Sequence, residues 1–77
     1  MLTCTITSTK ETQEYKNLQS VTVPDLSGVI QILSGHAEMF NLLSPGKVIL
    51  DYGDKKEEKN ISNAECYINN NKVTTVV

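Results

Sequence analysis

Histidine occurs once in this sequence, cysteine twice, and no apolar run approaches the length of a membrane span. Each scarcity removes a class of function. His36 is the lone imidazole, no CxxC pair occurs, and the carboxylates do not fall at ligand spacing, so no metal site is expected. Cys4 and Cys66 stand far apart and make no disulfide framework; among apolar and β-forming neighbours they are expected to be two reduced, packed thiols. A bilayer span needs roughly 20 apolar residues, so no direct membrane insertion is expected. The N-terminal residues Leu2-Thr3-Cys4-Thr5-Ile6-Thr7 alternate instead of forming a charged and then apolar leader, and are expected not to be a signal peptide. The net charge is −2 and the lysines form no stripe interleaved with aromatics. Nucleic-acid binding therefore lacks both its electrostatic and its stacking component.

Seventy-seven residues are expected to make one domain, residues 1–77. A chain this short buries only roughly 60–65% of the surface its unfolded form exposes. Small domains offset that deficit with disulfides, a metal or a partner. The first two are disfavoured by the residue inventory, and a protein partner is left.

What the chain does contain is short alternating segments. Leu2, Cys4 and Ile6 point one way and the threonines between them the other, the period of a half-buried strand. Residues 9–16 are polar and weakly patterned, a turn leading into an edge. Leu18 to Val23 alternates again, with Pro24-Asp25 expected to end that strand. Val29-Ile30-Gln31-Ile32-Leu33 is apolar and β-branched, bounded by Gly28 and by Ser34-Gly35. The stretch from His36 to Leu43 lies between glycine and proline punctuation, too short for a free helix, and reads as a loop feeding a short strand. Pro45-Gly46 reads as a turn before the strand Lys47–Tyr52. Gly53 to Lys56 makes a polar hairpin tip, and Asn69-Asn70-Asn71 makes a tight turn between the last two strands. The sum is an all-β fold, a small flattened β-sandwich or barrel of about 8–10 short strands.

No catalytic constellation accompanies this pattern. Ser34 and Ser44 flank His36, but no acid is placed to orient the imidazole and no GxSxG elbow exists. His36 is expected at a turn, its ring packed or hydrogen-bonded there. The run Asp54-Lys55-Lys56-Glu57-Glu58-Lys59 is expected to be a solvated hairpin tip; the alternative, a lipoyl- or biotinyl-bearing lysine, expects small or apolar neighbours that are missing. Met39 and Phe40 read either as core under a loop or as an apolar protein-binding patch, where methionine and aromatics are enriched.

The segment Gly28-Val29-Ile30-Gln31-Ile32-Leu33-Ser34-Gly35-His36-Ala37, followed by Leu43-Ser44-Pro45-Gly46-Lys47-Val48, resembles the signature of the N-terminal β-sandwich of rotary ATP synthase epsilon subunits, the delta subunit in mitochondria. Val21-Thr22-Val23-Pro24, Ile61-Ser62-Asn63-Ala64 and Asn70-Asn71-Lys72-Val73-Thr74 extend the similarity over nearly the whole chain. Ser34 and Glu38 stand where the family has prolines, Val29 where it usually has glutamate, and Gln31 and Asn63 where it has glycine; asparagine is the natural replacement for glycine at positive φ.

The resemblance implies a non-catalytic central-stalk subunit without cofactors, binding the gamma subunit and the c-ring to couple ion-driven rotation to ATP synthesis. A free-standing epsilon-like binding module is the alternative. It further implies that Gly28, Val29 and Gln31 face the c-ring, and that His36, Ala37, Met39, Phe40 and Leu43 face gamma. The implied location is peripheral, on the cytoplasmic face of the inner or plasma membrane. The family's C-terminal helical pair has no counterpart in these 77 residues, so neither ATP binding nor inhibition of hydrolysis is expected of them.

Overall fold

The computed structural model describes all 77 residues, and every regular element in it is a strand. Nine strands follow one another: β1 (Leu2–Thr7), β2 (Thr12–Leu18), β3 (Ser20–Asp25), β4 (Gly28–Leu33), β5 (Met39–Leu43), β6 (Gly46–Asp51), β7 (Lys56–Ile61), β8 (Ala64–Asn69) and β9 (Lys72–Val76). Pairing runs β2-β1-β9-β8-β5 and then β3-β6-β7, with β4 on the other side of β3. Only β1 and β9 are parallel. The continuous sheet curls so that the β2-β1-β9-β8-β5 half packs over the β4-β3-β6-β7 half. One backbone pair, Asp25 with Leu43, joins β3 to β5 where the halves meet.

The period of two decides what lies between the halves. Leu2 and Cys4 of β1, Cys66 and Ile68 of β8, and Val73 of β9 are at most 2% exposed, and face Val21 and Val23 of β3, Ile32 of β4, and Val48 and Leu50 of β6. At 25–30 cal/mol per Å², each fully buried valine or leucine contributes about 1.5–3 kcal/mol against exposure. Cys4 pairs with Val73 and Cys66 with Thr75, so β9 lies between the two cysteines. Strands two apart are separated by roughly 9–10 Å, beyond the Cα spacing a disulfide spans. Both thiols are free and buried, as their surroundings in the sequence suggested.

Four expectations need correction. Residues 12–18 are a full strand, since β1 offers β2 a complete ladder from Leu2–Leu18 to Thr7–Thr12. A bulge between Leu2 and Cys4 absorbs one extra β2 residue, with Asn17 in the left-handed region at φ 61°. Pro24 and Asp25 do not end the third strand. Pro24 pairs with Val29 at a position where no N–H is required, and its carbonyl accepts from the Ser44 N–H at 2.8 Å. Asn63 is not among the residues with positive φ; the asparagines that are lie at 17, 70 and 71. The last two, at φ 50° and 60°, form the two-residue turn between Asn69 and Lys72, matching the twist of the flanking strands. Strand β6 also starts at Gly46 instead of after it.

Candidate functional site

The outer face of β5 and β8 carries the two exposed aromatic side chains of the chain. Alternation turns Asn41 and Leu43 of β5 inward and Phe40 and Leu42 outward. On β8 it buries Ala64, Cys66 and Ile68 and exposes Tyr67. Phe40 stands directly opposite Tyr67 in the ladder, ring centroids 5.0 Å apart and planes tilted by 49°. A tilted aromatic pair of this kind is favourable beyond the area it buries. Yet Phe40 is 51% and Tyr67 45% exposed, and Leu42 beside them 48%. The Leu26 N–H donates to the Leu42 carbonyl at 3.1 Å, bringing the β3–β4 turn and its 63% exposed Leu26 against the same patch. Glu38, Glu65 and Lys72 rim it. The Tyr67 hydroxyl donates to Glu65 Oε1 at 3.0 Å, and that bond raises the phenol's pKa, with burial adding to it.

Beside the patch, the loop from Ser34 to Glu38 is held in place by backbone contacts. The His36 N–H donates to the Leu33 carbonyl at 3.2 Å, closing a turn with Gly35 at φ 83°. The Gly35 N–H donates to Asn71 Oδ1 at 2.7 Å, fastening the loop to the β8–β9 turn. The His36 ring lies with Nδ1 2.8 Å from the Ala37 carbonyl. A carbonyl accepts only, so the ring donates from Nδ1 in this contact. His36 is thus a turn residue, as expected.

The other sequence-selected residues divide between this loop and β4. Gly28, Val29 and Gln31 are exposed on β4, Val29 at 74%. Ala37 and Met39 are exposed beside His36, which is itself half-buried. Leu43 is different. It is 2% exposed and packs in the core, because it shares the inward parity of Asn41 on β5. It cannot present its side chain to a partner on this face. Tyr67, Leu42 and Leu26 were missed. The alternation of Ala64–Asn69 was enough to place Tyr67 outward, but its meeting with Phe40 depends on the β5–β8 register, which the sequence does not display.

The junction behind the patch is polar. Asn41, 9% exposed, donates from Nδ2 to Asp25 Oδ1 at 2.9 Å. Asp25 Oδ2 accepts from the Ser27 hydroxyl at 2.6 Å and the Ser27 N–H at 3.0 Å. The Ser27 bonds, and then that of Asn41, favour the carboxylate and lower its pKa from 3.8. Nowhere do three His, Cys, Asp or Glu side chains come together as metal ligands. The chain has no helix long and apolar enough to cross a membrane.

Fold and face together describe a small β-sandwich whose most distinctive surface is apolar and aromatic, the kind used for docking onto another protein. The chain belongs to the family described as the ATP synthase delta/epsilon chain β-sandwich domain, which it matches over residues 1–77. It is 42% identical over 41 residues to the ATP synthase epsilon chain of Chlorobaculum tepidum, and 46% identical over 39 residues to that of Chlorobium limicola. Those stretches cover 53% and 51% of this chain but only 47% and 44% of the relatives. A chain of the Euglena gracilis mitochondrial ATP synthase superposes with a TM-score of 0.87 at 23% identity, covering 96% of this chain and 48% of that one. A chain of the Tetrahymena thermophila enzyme's central stalk and c-ring gives 0.82 at 10% identity, covering 99% and 62%. At such identities these two likenesses concern the fold.

Proposed function

We propose that this domain acts as a non-catalytic part of the ATP synthase central stalk, docking through two neighbouring surfaces at the membrane-facing foot of the rotor. The Phe40–Tyr67 face, extended by Leu42, Met39 and the His36-Ala37 loop, takes the gamma subunit. The β3–β4 hairpin, with Gly28, Val29 and Gln31, takes the c-ring. Its place is then peripheral, on the cytoplasmic side of the membrane.

The observation that carries this reading is the half-exposed aromatic pair in a contiguous apolar patch with a polar rim. Aromatic residues and methionine are enriched in the cores of protein interfaces, and patches of this kind are costly to leave bare. The Leu26–Leu42 backbone bond places the second surface against the first, so one rigid sandwich can touch two partners at once. Family membership supports the choice of partners.

Co-purification with gamma and the c-ring tests the assignment. The wild-type chain is expected to travel with both. Phe40→Ala is expected to weaken the gamma complex by about 1–3 kcal/mol, as truncation of an interface aromatic does. A chain that leaves gamma and the c-ring behind, while assembling with other proteins, is instead a free-standing module of the same fold.

A further inference from the structure

Three strands have an edge that pairs with nothing: β2 and β7 at the ends of the pairing order, and β4 beside β3. Open edges invite pairing with another chain, and proteins guard them with charge. Two of the three are guarded. Strand β2 carries Glu14 and Lys16, 3.5 Å apart in an ion pair. Strand β7 reads Lys-Glu-Glu-Lys-Asn-Ile, with Glu57 and Lys59 turned toward the interior, where Glu57 accepts from the Tyr52 hydroxyl and Lys59 lies over the Tyr15 ring. Strand β4, Gly-Val-Ile-Gln-Ile-Leu, has no charge, no proline and no bulge.

The register shows which groups of β4 are free. Because Pro24 has no N–H, the pair Pro24–Val29 cannot exchange two hydrogen bonds. The bonded pairs are therefore Asp25–Gly28, Val23–Ile30 and Val21–Ile32. Val29, Gln31 and Leu33 then aim their N–H and C=O groups at the open edge; of these, the Leu33 carbonyl already accepts from His36. Their side chains stand on the outer face, Val29 74% and Leu33 52% exposed.

We propose that the open edge of β4 pairs with the same edge of a second copy of this chain, antiparallel about a two-fold axis through Gln31, giving a weak, concentration-dependent dimer. The edge is complementary to itself, which fits it to a second copy. With Gln31 opposite Gln31 of the other copy, Val29 falls opposite Leu33 and Leu33 opposite Val29. The Gln31 pair exchanges two backbone bonds, and each Leu33 N–H donates to the opposite Val29 carbonyl while the Leu33 carbonyls stay with His36. Two apolar cross-strand pairs flank an amide pair able to exchange side-chain hydrogen bonds, and no like charges meet. A two-fold interface needs such a self-matching patch. One six-residue strand pair buries less than the roughly 1,200 Å² of a stable complex, so the dimer exchanges readily. The pairing is a property of the isolated chain and stands apart from the stalk reading.

Sedimentation equilibrium over about 10 μM to 1 mM, the range of weak association, reads it directly. The weight-average mass is expected to climb from 8.5 kDa toward twice that value. Gln31→Lys, which sets two ammonium groups face to face, is expected to hold the chain at monomer mass with its circular dichroism unchanged. Gln31→Cys is expected to give a disulfide-linked dimer under mild oxidation, since bonded antiparallel Cα atoms lie about 5.5 Å apart. Asn60→Cys, on the guarded β7 edge, is not. A wild-type chain monomeric throughout overturns the proposal, as does a dimer indifferent to Gln31→Lys or Asn60→Cys cross-linking equally well. Amide shifts at Val29, Gln31 and Leu33 on adding a stalk partner to a strictly monomeric chain would assign the edge to that partner instead.

Discussion

Cys4 has no solvent exposure, and burial first, with Cys66 second, pushes its thiol pKa up to about 12. Burial likewise raises Cys66. Thiolate is the reactive species, so both residues are inert while the sheet is closed. Labelling with a thiol reagent at pH 8 is expected to run at least about 100-fold slower in the native protein than in urea, limited by opening of the sheet. Gly46 shows the same dependence on neighbours. A β-carbon added there would sit 3.0 Å from Pro24 Cβ and 3.2 Å from Cγ, and the proline ring cannot swing aside. Gly46→Ala is expected to lower stability by about 1–2 kcal/mol in urea denaturation, the cost of mild overpacking. The glycine of the Pro45-Gly46 dipeptide therefore serves strand packing as much as turning.

Among the elements, β5 has the most divided role. Its inward residues close the core and its outward ones build the exposed aromatic face, within five residues. Leu43→Ala and Phe40→Ala separate the two. Leu43→Ala is expected to cost about 2–5 kcal/mol of folding stability, the range for a buried leucine, whereas Phe40→Ala costs under about 1 kcal/mol in the isolated domain. A chemical denaturation series on both variants reads the difference, and equal losses would put Phe40 in the core. The β3–β5 junction adds a pH dependence. Asp25 has a lowered pKa in the folded chain, so the unfolded chain binds its proton first as pH falls. Its contribution is present above the ordinary carboxylate value of 3.8, and drains away as pH drops through that value toward the lower folded one. Asp25→Asn is expected to be less stable than wild type at pH 7 and to differ less from it near pH 2.5, measured by thermal melts across that range.

For the molecule as a whole, 27 × 24 × 19 Å of curled sheet holds its two halves together at one end by a single strand pair and the Asn41–Asp25 bond. At the opposite seam Lys59 of β7 reaches over the Tyr15 ring of β2, and beside it the Tyr52 hydroxyl donates to Glu57 at 2.8 Å within the β6–β7 hairpin. Burial, and then Glu57, raise the Tyr52 phenol to about 12. The unfolded chain would release that proton near pH 10, so stability is fully present below pH 10 and is lost as pH climbs toward 12. Tyr52→Phe is expected to flatten the alkaline limb of the stability curve between those values. An unchanged limb would show that burial and Glu57 do not keep the phenol protonated.

Period-two alternation and turn chemistry in the sequence were sufficient to determine an all-β chain, its strands near Leu2–Thr7, Val29–Leu33, Lys47–Tyr52 and Lys72–Val77, and the tight Asn70-Asn71 turn. These are local properties, set by which side chains neighbour one another along the chain. The signature around Gly35-His36-Ala37 further indicated the family. Tertiary structure alone decided the rest. Polar residues 12–18 became a strand because β1 supplied a ladder, a long-range pairing that their own composition does not encode. Leu43 went to the core and Leu42 outward because the start of β5 fixes the parity, and a one-residue shift would have reversed both. Tyr67 joined Phe40, and Leu26 joined Leu42, only when strands far apart in the chain settled into register.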